Sequence, residues 1–136
     1  MFAFGNAERD GKDHRGWFIG HFMPGSPQKR DDLEVKWSHH PQGDGDPNFD
    51  AQKIAKTISI LIHGKMEYCF HDGEHSETIV VTQPGDYVMW EAGVSHSWRA
   101  LEDSLSLTVR WPSVPNDVVK EDNHDESKPA VGPRCS

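Results

Sequence analysis

The chain is short of cysteine, of positive charge and of long apolar runs. Only Cys69 and Cys135 are cysteines among 136 residues, one inside an apolar run and one near the end. That is too little for a disulfide framework, so a reducing compartment, the cytoplasm, is expected. Lys plus Arg number 14 against 22 Asp plus Glu, a formal net charge of −8. Such a balance argues against a basic face for nucleic acid or for an anionic membrane. The longest apolar stretch, Ile58 to Ile62, already contains a serine, and a membrane span needs ~18 apolar residues. No basic segment followed by an apolar one opens the chain, so no secretory signal is expected. A glycine-rich phosphate loop is missing too. So is a Gly-x-Ser-x-Gly elbow, since Gly93-Val94-Ser95-His96 lacks the second glycine. What the chain has in quantity is nine histidines and five tryptophans.

The length fits one domain. Its local pattern is β, repeated. Segments 15–22, 33–40, 57–63, 65–70, 77–82, 86–90, 96–100 and 104–111 are short, alternating or β-branched, and bounded by Gly, Pro and Asp. Asp72-Gly73 is a strong hairpin turn, because Gly supplies positive φ after Asp. About eight short strands with turn signals every ~8–12 residues predict an all-β sandwich or barrel. A Gly/Asp-rich loop is expected after Pro41. The one helical candidate is Phe49 to Lys56. The barrel is expected over 1–111, and a Pro-rich acidic tail, packed on the barrel or extending from it, over 112–136.

A strand turns alternate residues to opposite faces. If His40 faces the interior, so do Ser38, Lys36 and Glu34. His96 brings Trp98 with it. Thr57, Ser59 and Leu61 then face inward and Ile58, Ile60 and Ile62 outward. An outward isoleucine row loses roughly 1.5–3 kcal/mol of burial per side chain unless another surface covers it. The covering surface is expected to be another subunit, in a homodimer through this strand, or another sheet. Arg110 alternates with Val109 and Trp111, and either parity of that strand is open. Cys69, mid-strand, is expected to be a small buried hydrophobe.

Gly85-Asp-Tyr-Val-Met-Trp-Glu-Ala-Gly93-Val-Ser-His96 resembles the second signature of the cupins, with Gly85, Gly93 and His96 in register. Glu91 stands where proline is usual and Ala100 where asparagine is usual. The first signature is half present. Gly64 fits its final glycine, Thr57 stands in its glutamate slot, and His40 and Ser38 occupy its two histidine slots. The blocks Arg15 to Phe22, Glu34-Val-Lys-Trp37 and Val109-Arg-Trp-Pro-Ser113 are similar to small single-domain bacterial cupins without an assigned activity.

The resemblance implies a double-stranded β-helix over roughly residues 15–111 and a small-molecule pocket centred on His40 and His96. It matches two of the family's four usual metal ligands. A divalent transition metal (Fe, Zn, Mn or Ni) is the candidate cofactor, with Glu34, His39 or His21 as a third ligand. Three functions stay open. One is a metal-dependent enzyme. Another is a metal-free isomerase, epimerase or dehydratase, with His40 or His96 as base and Lys36 or Arg110 as anion clamp. The last is a non-catalytic binding protein. Tyr68, Trp98, Ser38, Thr57 and Trp90 are the expected pocket walls, and a small polar or anionic molecule the expected ligand.

Overall fold

The computed structural model describes residues 1–120. Cys135 and residues 121–136 of the expected tail lie outside them. Asn6 caps a short helix, α1 (Ala7–Gly11), by accepting a bond from the Arg9 amide, and a 3-10 turn follows at Lys12–His14. Ten strands come next: β1 (Trp17–Ile19), β2 (Glu34–His40), β3 (Gly45–Gln52), β4 (Lys56–His63), β5 (Met66–Asp72), β6 (His75–Val81), β7 (Tyr87–Trp90), β8 (Ser95–Ala100), β9 (Ser104–Trp111) and β10 (Val118–Lys120). They form two five-stranded antiparallel sheets, ordered β1-β2-β9-β4-β7 and β10-β3-β8-β5-β6. The two sheets make the sandwich that the spacing of turn residues predicts, in the jelly-roll form that the resemblance implies.

Two expectations change. Residues 49–56 are not helical: β3 runs through Gln52 and pairs with β8, with a register irregularity between Asp46 and Asp50. Phe49 and Ala51 are buried while Asp50 is half-buried. That is a period of two, and edge pairing overrides a weak helical preference. Cys69 is buried as expected but is disulfide-bonded rather than a free thiol.

The strand parity holds. In β4, Thr57, Ser59 and Leu61 are buried, and Ile58, Ile60 and Ile62 are half-buried on the outer face. Register extends that face sideways. Val109 lies beside Ile58 and Met89, and Leu107 beside Ile60 and Tyr87. Tyr87 and Met89 are 59% and 55% exposed. At the other end of this sheet α1 covers part of the face, where Glu8 bonds the Trp37 indole and the His39 ring.

The apolar core lies between the sheets, with Leu61, Met66, Tyr68, Val81, Val88 and Trp90 in one cluster. Gly64 joins β4 to β5 at φ +102°, and a Cβ there would sit 2.6 Å from the Asp103 carbonyl oxygen. Glycine is therefore the residue that lets these strands meet. Beyond the barrel, Asp117 accepts from the amides of Ile54 and Ala55, and Val118–Lys120 extends the second sheet along β3.

Because Leu61 points into the core at 2% exposure, Leu61→Ala should lower stability by about 2–5 kcal/mol. Thermal and denaturant unfolding measure this. A loss under ~1 kcal/mol would mean that β4 does not face inward as described.

Candidate functional site

Between the sheets lies a cavity of about 80 Å³. Its floor is polar and comes from the first sheet. β2 contributes Lys36, Ser38 and His40, β4 contributes Ser59, and β9 contributes Ser106, Thr108 and Arg110. Cross-strand register puts Ser38 opposite Ser106, and Ser59 opposite Thr108. Small hydroxyl side chains at these crossings leave room that leucines would fill. Tyr68 Oη and Ser59 Oγ lie 3.1 Å apart, as do Ser59 Oγ and Thr108 Oγ1, so the floor hydroxyls form a chain. The roof is aromatic, with Tyr68, Trp98 and His96 from the second sheet, and Trp90 of β7 adds a ring from the floor's own sheet. Trp17 closes one side.

The two histidines differ. His40 is buried at 7% exposure, packs against Trp98 in a tilted arrangement at 4.4 Å between centroids, and places Nδ1 2.9 Å from Asp44 Oδ2. A carboxylate there accepts a hydrogen bond from Nδ1–H and leaves Nε2 with its lone pair. Burial pulls the His40 pKa down, and the bond to Asp44 opposes that pull. His96 has Nδ1 3.1 Å from the Val94 carbonyl, which can only accept, so its Nδ1 carries the proton and Nε2 the lone pair. Its ring lies 4.5 Å from the Trp90 ring. Burial first, and the Arg110 charge after it, pull its pKa down to about 4. Both imidazoles are neutral at pH 7.

The cations are the unusual feature. Arg110 Nη1 donates to Glu34 Oε1 at 3.2 Å, while its Nε is buried without a hydrogen-bond partner. Lys36 has no ion pair and no hydrogen bond among the described residues, and its Nζ lies 5.7 Å from the Trp17 ring centroid. Arg110 Cζ lies 4.7 Å from the same ring. Desolvation, with Arg110 and Arg15 adding repulsion, pulls the Lys36 pKa down to about 8, and Asp44 opposes the shift weakly. Two positive side chains share one aromatic ring, and the Glu34 carboxylate pairs with Arg110 alone.

His40, His96, Lys36, Arg110, Ser38, Tyr68, Trp90 and Trp98 all line the cavity. Thr57 does not: it is fully buried beside the cavity, with Oγ1 unpartnered. Glu34 shares the inward face but lines a neighbouring cleft of about 540 Å³. There it accepts from Arg110 and, at 2.8 Å, from Ser113 Oγ. His21 is held by Ser113 in the same cleft, and His39 sits on the outer face with Glu8. No three His, Cys, Asp or Glu side chains are grouped to hold an ion among the described residues. Catalytic zinc and iron sites use three protein ligands. The cavity offers two imidazoles and no carboxylate, so its donors do not fit such a centre. Ser59 lines the cavity as its inward parity implies, whereas Ser106 and Thr108, on a strand whose parity the sequence left open, line it unanticipated. Nothing in the sequence marks Trp17, or Asp44 as the partner of His40.

His96 carries a pH signature. Unfolded, it binds a proton below about 6.5, whereas folded it does so only below about 4. The unfolded state therefore holds more protons between these values. Stability is full above about pH 6.5 and is lost as pH falls towards 4, by about 3 kcal/mol from this one group. Denaturant unfolding across this range should show the loss, and His96→Gln should flatten the profile. An unchanged slope in that variant would contradict the assignment.

No family model matches the chain, and no curated protein matches it. Solved structures do. Oxalate decarboxylase from Bacillus subtilis aligns with a TM-score of 0.58 at 17% identity, over 73% of this chain and 26% of that one. That decarboxylase has Mn(II) centres. The chain thus spans about a quarter of the decarboxylase. QdtA, a sugar 3,4-ketoisomerase from Thermoanaerobacterium thermosaccharolyticum, aligns at 0.57 and 11% identity, over 65% of this chain and 66% of that one. A double-stranded β-helix protein from Klebsiella pneumoniae aligns at 0.54 and 19% identity, over 68% and 76%. The two antiparallel sheets and these likenesses agree: the chain has a double-stranded β-helix fold.

Proposed function

We propose that the cavity takes a small carboxylate and that its histidines move a proton on it, as an isomerase, epimerase or dehydratase does. The carrying observation is Lys36, an inward ammonium with no anion beside it among the described residues. A buried cation without a partner is costly, and a bound carboxylate would supply the missing charge. Arg110, with its orphaned Nε, forms the other half of the clamp. Size supports a small ligand. At the ~10–15 Å³ that one water needs, about 80 Å³ holds roughly five to eight such units. That suits a short hydroxy or oxo acid. Fold likeness alone would not choose this chemistry.

Division of labour follows from the hydrogen bonds. His40, oriented by Asp44, keeps Nε2 free as the proton acceptor. Neutral His96 accepts a hydrogen bond from a hydroxyl and stays uncharged. Trp17 and Trp98 wall the ligand from water.

Lactate binding followed by calorimetry, and exchange of its α-proton in heavy water, test this reading. Lys36→Met removes a charge without stranding a carboxylate. It should cost at least tenfold in lactate affinity, the loss of about 1.4 kcal/mol, yet leave the protein as stable or more so. Binding should also weaken above pH about 8, where Lys36 loses its proton. His40→Gln should cut exchange by about 10²–10⁴. Binding without exchange would make this a carrier rather than an enzyme. Affinity indifferent to Lys36→Met and to pH would overturn the proposal.

We also assign a second copy of this chain to the outer face formed by β9, β4 and β7. The cross-strand pairs there are apolar and uncharged, and one two-fold axis brings such a face onto itself. Sedimentation should give a dimer, and Ile60→Asp a monomer of unchanged fold. A monomeric wild type refutes the assignment.

A further inference from the structure

We propose that Lys36 forms an imine with a small 2-oxo acid whose carboxylate rests on Arg110. This rests on the carboxylate reading of the same cavity and narrows its ligand to one with a carbonyl. Three features carry it. The Nζ reaches the cavity with no carboxylate beside it, because Glu34 spends its Oε1 on Arg110 and its Oε2 on Ser113. The stem is held from the other side. Gly16 has φ +97°, and a Cβ there would lie 3.3 Å from Lys36 Cγ and 3.5 Å from Cε, so the bare backbone packs flat along the side chain. The Gly16 carbonyl accepts from the Trp37 amide at 3.0 Å, which fixes that crossing. Finally, Lys36 Nζ and Arg110 Cζ lie 5.7 and 4.7 Å from one Trp17 ring. A molecule with its carboxylate on Arg110 and its carbonyl one bond further thus meets the amine.

A desolvated amine beside another cation is the setting that turns lysine into a nucleophile. Of the charged groups acting on Nζ, Arg110 and Arg15 repel an ammonium, and Asp44 favours one more weakly. The chemistry balances without an oxidant or reductant. The neutral amine adds to the carbonyl carbon, forming the N–C bond. The carbonyl oxygen leaves as water with one amine proton and one proton from solvent. The iminium nitrogen keeps the other amine proton. Its positive charge then lies beside the carboxylate held by Arg110, and His40 Nε2 is the acceptor for a proton lost from the adjacent carbon.

The full chain incubated with pyruvate and sodium cyanoborohydride tests this, since hydride fixes the iminium as a stable secondary amine. Intact mass should show one adduct, and peptide mapping should place it on Lys36. The neutral fraction of this amine at pH 7 is on the order of a hundredfold above that of an ordinary lysine, so surface lysines should label far less. Lys36→Arg keeps the cation and should keep lactate binding while losing the adduct. Arg110→Gln should lower Lys36 labelling at least tenfold without changing surface labelling. Its folding is checked by thermal melting, and Lys36→Arg carries the test if that variant melts early. Lactate binding without a Lys36 adduct overturns the imine and leaves the carboxylate reading standing. Loss of both removes both. Labelling spread evenly over the lysines, or unchanged in Lys36→Arg, also overturns the imine.

Discussion

Two cations and one carboxylate meet at one end of this barrel, and the rest of the site depends on that imbalance. Glu34 pairs with Arg110 and accepts from Ser113, which leaves the pair satisfied and Lys36 alone. Taking a charge out of water costs several kcal/mol unless geometry returns it. Trp17 returns part of this through its ring face, and the packed stem returns part through burial. The remainder appears as the depressed Lys36 pKa. On the proposed reading such a residue attracts a small anion, and natural proteins place local destabilisation of this kind at functional sites.

The fold frames this chemistry without selecting it. Oxalate decarboxylase, with its Mn(II) centres, and this chain share strand arrangement at 17% identity. Here the candidate third ligands have other employment: Glu34 and His21 face the neighbouring cleft, and His39 faces outward to Glu8. The cavity floor is hydroxylic and cationic, which suits an anion and a proton transfer.

Much of the fold was legible because β-strands report their faces with a period of two. Thr57, Ser59 and Leu61 against Ile58, Ile60 and Ile62 separated inside from outside without coordinates, and the β2 parity placed Lys36, Ser38 and His40 together. The Asp72-Gly73 turn marked its hairpin. What failed to show was whatever depends on partners distant in sequence. β3 carries Gly, Pro and Asp at its start and looked like a loop, because the edge of β8 that it completes lies some fifty residues on. Glu34 shares the parity of Lys36, yet its carboxylate lies past the cavity end, where Ser113 and Arg110 claim it. The tie between His40 and Asp44 arises from a turn after Pro41 and has no periodic signature. Trp17 sits in a three-residue strand with an irregular register, too short to display a face.

The ionisation of one amine tests the account most directly. Lysine labelled with ¹³C at Cε allows the Lys36 titration to be followed by NMR in the ligand-free protein, with Lys36→Arg to assign the signal. The account predicts a midpoint near 8, well below the ordinary 10.5, and a rise when lactate is added. A midpoint at the ordinary value, unmoved by lactate, would mean that the amine rests in water, and the cavity would lose the charge on which its chemistry is argued.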